Sequence, residues 1–209
     1  MNENRIIICI CILCILVGIF ILQITKGAPD TVQEGISNEI IRFHVLANSD
    51  TELDQERKLK VRDAVVTYIQ EKMENVTSKE QAEEVIMKQL PEIKKIAENT
   101  LDEQGYSENV ETMLTRRTFP VKVYGDLVFP AGEYETLQVE IGEAKGRNWW
   151  CVMYPSLCLV EEGYTAVSKE GKERLESCLT EEEYESIQME ETEVEYDLKI
   201  VQIFKELWD

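Results

Sequence analysis

The sequence predicts an α+β fold in which two long helices pack on one face of a mainly antiparallel sheet. Apolar residues recur at helical spacing over two stretches between residues 52 and 105, and later stretches alternate apolar and polar side chains as half-buried strands do. One strand-like stretch precedes the helices and several follow them, an order typical of α+β domains. An apolar N-terminal membrane or signal helix is predicted to precede this domain.

Residues 1–27 are predicted to be a signal peptide or a membrane anchor. Residues 6–22 contain no charged or strongly polar side chain. As a helix they would be about 26 Å long, slightly shorter than the roughly 30 Å hydrocarbon core of a bilayer. They are also slightly longer than the apolar core of a cleaved signal peptide. Anchor and cleaved signal therefore both stay open, and both predict that the rest of the chain is exported.

The domain is predicted to begin with a tether and a strand. Residues 28–39 are polar and contain glycine and proline, which favours a tether. The segment EIIRFHVLA then alternates, with Phe43 and Val45 on one face and Arg42 and His44 on the other. This pattern indicates a half-buried strand, on which we expect His44 to be partly exposed.

Two long helices are predicted next. The first is expected to run from a capping box at Ser49 and Glu52 to about Met73. The second begins at a similar box at Ser78 and contains Pro91, which must either kink it or begin a new helix. Their apolar stripes have the spacing of helices that pack on a sheet.

The remaining chain changes to strand periodicity and then becomes acidic. VETMLTRRTFPVKVYG, YETLQVEIG and WWCVMY are predicted strands, and GEAKGRN joins the last two. Residues 40–160 are therefore the predicted α+β domain, and residues 161–209 are an acidic C-terminal segment. Residues 161–197 carry 14 acidic and 3 basic side chains, which predicts either a solvated helical segment or partial disorder. EVEYDLKI is a candidate strand and IVQIFKELW a candidate amphipathic helix.

The charge and motifs of the chain argue against several classes of ligand. With 41 acidic and 22 basic residues the net charge is −19, which disfavours nucleic acid and anionic lipid headgroups. The acidity indicates either a soluble, self-repelling surface or attraction to a basic patch on a partner. Neither a metal-binding spacing nor a phosphate-binding glycine loop occurs, so we expect no metal, cofactor or small-molecule substrate.

Catalytic chemistry has few candidates, so the chain is predicted not to be an enzyme. His44 is the only histidine, and a cryptic cell-envelope hydrolase that uses it with Cys151 or a carboxylate is the alternative hypothesis. The preferred role of Cys151 is a disulfide with Cys158. A hairpin around Pro155 would place the two cysteines opposite each other, within reach of a disulfide. Cys178 would then stay unpaired.

The stretch GRNWWCVMYPSLC contains the candidate partner-binding residues Arg147, Asn148, Trp149 and Trp150. Successive strand residues point to opposite faces of a sheet, and tryptophan is enriched in binding hot spots. We therefore expect one of Trp149 and Trp150 to face the core and the other to face the opposite side, where the acidic segment covers it or it is exposed. Arg147 and Asn148 complete the candidate surface.

Three stretches together resemble the stage II sporulation protein R family of endospore-forming Firmicutes: IRFHVLANSD, ERKLKVRDAV and LVFPAGEYETLQVEIGEAKGRNWWCVMYPSLC. The resemblance covers about residues 40–158. It implies an exported signal, made in the forespore and moved across its membrane into the space facing the mother cell. It also implies that the signal activates a membrane-embedded aspartic protease of the mother cell, which processes the sigma-E precursor. The resemblance assigns no residue to the contact with that protease.

Overall fold

The computed structural model describes residues 31–157, 167 and 169–189. The predicted segment 6–22, the two candidate C-terminal elements and Cys158 lie outside the described residues. Among the described helices, none is both long and apolar enough to cross a bilayer. In chain order the elements are α1 Thr31–Glu39, β1 Ile41–Leu46, α2 Glu52–Lys72, α3 Lys79–Asp102, β2 Val110–Phe119, β3 Lys122–Tyr124, β4 Leu127–Phe129, β5 Gly132–Ile141, β6 Asn148–Tyr154, α4 Lys169–Cys178 and α5 Glu181–Ile187.

The central sheet is mixed, with four strands in the order β2-β5-β1-β6. β5 is antiparallel to β2 and parallel to β1, and β1 is antiparallel to β6. After β1 the chain passes through two helices and returns to the sheet as β2, which runs opposite to β1. β5 reverses direction again and therefore runs parallel to β1. The α+β class is confirmed, and the parallel pair at the centre is the correction to a mainly antiparallel sheet. β3 and β4 form a separate hairpin.

One face of the sheet packs against α2 and α3, and we call it the helix face. Thr112 of β2 reaches this layer, since its hydroxyl donates to the Leu90 carbonyl of α3 at 3.1 Å. The helices contribute the buried side chains Val61, Val65, Ile69, Ile86, Ile93 and Ala97, and the strands contribute Phe43, Val45, Leu137, Val139 and Cys151. Burial of this apolar surface is the main force that holds the helices to the sheet.

The ends of the long helices agree in part with the sequence. Thr51, not Ser49, caps α2, and its hydroxyl accepts from the Asp54 N–H. The Ser49 hydroxyl instead donates to the Asp54 carboxylate at 2.6 Å. Ser78 caps α3 as predicted. Pro91 lies inside α3 and does not begin a new helix.

Residues 31–39, which the sequence assigned to a tether, form helix α1. Ile36 of this helix is fully buried. Gly132 of β5 and Gly35 of α1 allow close packing, because a Cβ at either glycine would overlap the side chain of Gln33 or of Glu183 respectively. These contacts join α1 to the sheet and to α5. The first part of the chain that the structure describes is therefore packed into the domain.

Candidate functional site

Two loops from the stretches that resemble a known family meet at one end of the sheet. We call the loops 47–51 and 142–147 the loop pair. The Asn48 side-chain oxygen accepts from the Glu143 N–H at 2.9 Å, and the Gly146 N–H donates to the Ala47 carbonyl at 2.9 Å. A side chain at Gly146 would overlap the Ser49 carbonyl. The loop pair is therefore held together by backbone contact that only glycine permits.

Arg147 leaves the loop pair with its backbone fixed and its side chain in solvent. Its N–H donates to the Asp50 carboxylate at 2.6 Å, and its carbonyl accepts from the Lys58 ammonium at 3.0 Å. Lys58 is nearly fully buried, and desolvation, reinforced by the charge of Arg147, lowers its pKa. The Arg147 side chain is 70% exposed. The structure thus presents the Arg147 guanidinium on a rigid backbone.

The adjacent tryptophans point to opposite faces of the sheet. Trp149 lies on the helix face, with its ring 5.6 Å from Phe43 and 5.1 Å from the Arg62 guanidinium. Trp150 lies on the other face and stacks on His44 at 3.8 Å between ring centroids. Both rings are half-buried. The predicted division of the pair is therefore present, but neither ring is wholly in the core or wholly in solvent.

His44 is buried, which corrects the expectation of a partly exposed strand histidine. Its exposed fraction is 5%, because Trp150 stacks on one side and Phe119 packs beside it at 6.0 Å. Its Nε2 lies 2.8 Å from the Asn148 side-chain oxygen. The cover comes from side chains far along the chain, which the local alternation of β1 does not reveal.

The surroundings of His44 make it a weak base. Burial lowers its pKa from 6.5 to about 4, and the positive charges of Arg117 and Lys58 act in the same direction. The hydrogen bond with Asn148 opposes this shift. Its Nδ1 is buried and has no hydrogen-bond partner in the part of the chain that the structure describes. At neutral pH the imidazole is therefore uncharged and poorly suited to accept a proton.

The proposed pairing of His44 with Cys151 fails on geometry. Cys151 is opposite Phe43 in the register and faces the helices, whereas His44 is opposite Trp150 and faces the other way. The sheet lies between the two side chains, so no dyad forms. Cys151 is a buried free thiol in this structure. Because Cys158 lies outside the described residues, the disulfide stays a prediction.

Arg42 is the most unusual buried residue, and sequence reasoning missed its environment. It is fully buried, and its guanidinium lies 4.5–5.6 Å from the centroids of four rings, those of Phe119, Tyr124, Phe129 and Tyr134. Nη2 donates to the Tyr124 hydroxyl at 3.2 Å, whereas Nε and Nη1 have no hydrogen-bond partner among the described residues. These contacts bind the β3–β4 hairpin to the sheet, so we call this side the hairpin face. The four rings recur every five residues, a signal visible in the sequence.

Comparison with known proteins identifies the family. A family model described as stage II sporulation protein R matches residues 37–164. Stage II sporulation protein R of Bacillus subtilis (strain 168) is 37% identical over 176 residues, which cover 82% of this chain and 79% of that protein. The chain belongs to the stage II sporulation protein R family. No solved structure matches it.

The region shared with the stage II sporulation protein R family includes the whole central sheet, the loop pair and both tryptophans. Within the described residues, no group of three or more histidine, cysteine or acidic side chains is arranged to hold a metal. A cleft of about 260 Å³ lies beside Tyr154, whose hydroxyl is 3.8 Å from the Cys178 sulfur. Cys178 is a half-buried free thiol.

Membership of the stage II sporulation protein R family assigns the protein to sporulation.

Proposed function

We propose that this protein is an exported intercellular signal of sporulation that activates a membrane-embedded aspartic protease of the mother cell. The activated protease would then process the sigma-E precursor. The observation that carries the proposal is the 37% identity with the Bacillus subtilis protein over most of both chains. That resemblance implies the role of an activator. The apolar N-terminal residues 6–22 support export across the forespore membrane, with the product either released or anchored in the intermembrane space.

The geometry around His44 and Cys151 favours an activator over a hydrolase. The two side chains lie on opposite faces of the sheet, and the lowered pKa of His44 makes it a weak base. A non-enzymatic ligand shifts the protease only if it binds the active state better than the inactive one. About 3 kcal/mol of preference corresponds to roughly a hundredfold shift in that equilibrium.

Reconstitution tests the proposal. The full chain, the membrane protease and the sigma-E precursor are co-expressed in a host that does not sporulate, and precursor cleavage is followed by immunoblot. We expect cleavage only when all three proteins are present. If this chain is exported and folded and the precursor is still not cleaved, the activator hypothesis is wrong.

A Cys151→Ala variant separates the activator from the hydrolase in the same assay. The activator hypothesis expects normal cleavage, because the thiol is buried on the helix face away from His44. Loss of cleavage at unchanged thermal stability would favour the hydrolase.

A further inference from the structure

One stretch of the acidic chain combines three cations with no acidic side chain over 14 residues. Residues 112–125 include no aspartate or glutamate and contain Arg116, Arg117 and Lys122, in a protein whose net charge is −19. The stretch spans most of β2, all of β3 and the turn between them. Such a local reversal of sign is the feature that an acidic partner would recognise.

Two of these cations lie on the side of the sheet that carries Trp150, and Phe119, two residues after Arg117, packs on the Trp150 ring at 4.4 Å between centroids. The Arg117 side chain lies on the hairpin face, where its Nε donates to the Gln138 side-chain oxygen at 2.7 Å. The Lys122 ammonium lies 5.7 Å from the centroid of the Trp150 ring. Val121, next to Lys122, is 56% exposed. We call Arg117, Val121, Lys122 and Trp150 the basic–aromatic patch.

The two cations of the patch have no carboxylate partner in the part of the chain that the structure describes. Neither Arg117 nor Lys122 takes part in the ion pairs among the described residues. The nearby Glu140 carboxylate accepts from the Gln138 amide instead. Arg117 also contributes to the lowered pKa of His44, as expected beside an uncompensated positive charge.

We propose that the basic–aromatic patch binds an acidic segment of a protein partner, with Arg117 and Lys122 pairing its carboxylates and with Trp150 and Val121 covering its apolar side chains. A half-buried tryptophan held by stacking on His44 is a rigid anchor of the kind found at hot spots. The inference rests on the proposed function for the identity of the partner, the protease, and adds the surface and the chemistry.

A protein segment fits the patch better than an anionic membrane does. Lipid-binding clusters carry roughly four to eight basic residues, whereas the patch presents two. The net charge of −19 on the whole chain also repels an anionic surface at long range. A short acidic segment can reach the two cations while the rest of its protein stays further from the acidic surface.

Charge reversal in the reconstituted system tests the patch. The full chain with Arg117→Glu and Lys122→Glu should lower precursor cleavage by about tenfold or more, because like charges then face the acidic segment. The matched control is Lys94→Glu with Lys95→Glu. Both residues are on α3, on the other side of the sheet from the patch, and their side chains are 41% and 65% exposed. The control should cleave as wild type, and both variants should keep the thermal stability of wild type.

Equal cleavage by the patch variant and wild type would overturn the inference alone. Absence of cleavage with wild type would instead contradict the proposed function. A photo-crosslinking residue at Val121 identifies the occupant in the same cells, and we expect an adduct with an acidic segment of the protease. Adducts only with lipid, only with this chain's own acidic C-terminal residues, or with nothing would overturn the inference.

Discussion

The two faces of the four-stranded sheet carry side chains of different polarity. On the helix face, Phe43, Val45, Leu137 and Val139 are apolar and fully buried. On the hairpin face, Arg42, His44, Thr136 and Gln138 are polar and at least 95% buried. Alternating apolar and polar residues usually mark one buried and one solvated face. Here the polar positions mark a second buried layer, because aromatic side chains and the β3–β4 hairpin cover them.

The difference between the faces concerns how each stabilises the fold. Apolar burial on the helix face needs no specific partner, whereas each polar group on the hairpin face needs a hydrogen bond to offset its lost hydration. That requirement is only partly met, since within residues 31–157, 167 and 169–189 no group forms a hydrogen bond with Arg42 Nε, Arg42 Nη1 or His44 Nδ1. We therefore expect the helix face to supply most of the stability and the hairpin face to contribute less per residue.

Substitution of Phe43 should have the largest effect. Phe43→Ala leaves a cavity between the sheet and the helices and removes the edge contact with Trp149. We expect the free energy of unfolding to fall by about 3–5 kcal/mol. Urea denaturation followed by circular dichroism measures it, and a loss below about 1 kcal/mol would show that the helix face is loosely packed.

Arg42 gives the matched substitutions on the hairpin face. Arg42→Ala empties the space between four rings and should cost about 2–4 kcal/mol. Arg42→Met keeps most of the volume and removes a buried charge that has no carboxylate partner among the described residues, so it should change the free energy of unfolding by only about 1 kcal/mol. If Arg42→Met costs as much as Phe43→Ala, the cation–π contacts outweigh the desolvation of the charge, and the proposed ranking of the two faces is wrong.

The sequence predicted the features that depend on local periodicity. The long helices, the strands and the opposite orientation of Trp149 and Trp150 follow from patterns a few residues long. The parallel pairing of β1 with β5 and the burial of His44 do not, because they depend on segments about 75 residues or more further along the chain, among them Phe119. Helix α1 was missed because it is short and mostly polar, with Ile36 as its one buried apolar residue.

The hairpin face should make the fold sensitive to acid through His44. The pKa of His44 is lowered to about 4 from 6.5, so the unfolded chain binds this proton first as the pH falls. The stabilisation that comes from the uncharged His44 is fully present above about pH 6.5. It is lost as the pH falls to about 4, which lowers the free energy of unfolding by up to about 3 kcal/mol. Unfolding experiments across this range should show the loss in wild type and a smaller loss in His44→Gln. Parallel pH profiles for the two proteins would mean that His44 titrates normally in the fold.

The rim of the helix face should respond to acid in the opposite direction, by a smaller amount. A hydrogen bond with Glu135, followed by burial and the like charge of Glu135, raises the pKa of Glu83 from 4.5 to about 6. A raised carboxyl pKa stabilises the fold below about pH 4.5, and this contribution is lost as the pH rises through 6. Lys79 lies 3.6 Å from Glu83 and 3.5 Å from Glu135 and reduces the repulsion.

Removal of that repulsion gives the smallest expected change. Glu135→Gln keeps a hydrogen-bonding group beside Glu83 and removes the like charge. Because the Glu83 side chain is 31% exposed, solvent screens the pair, and the gain at neutral pH should stay below about 1 kcal/mol. Well below pH 4.5 the variant and wild type should unfold alike, since the Glu83 carboxyl is then neutral in both. If Glu135→Gln instead lowers the free energy of unfolding at neutral pH, the attraction between Lys79 and Glu135 outweighs the repulsion between Glu83 and Glu135. The helix face would then lose stability in acid, as the hairpin face does.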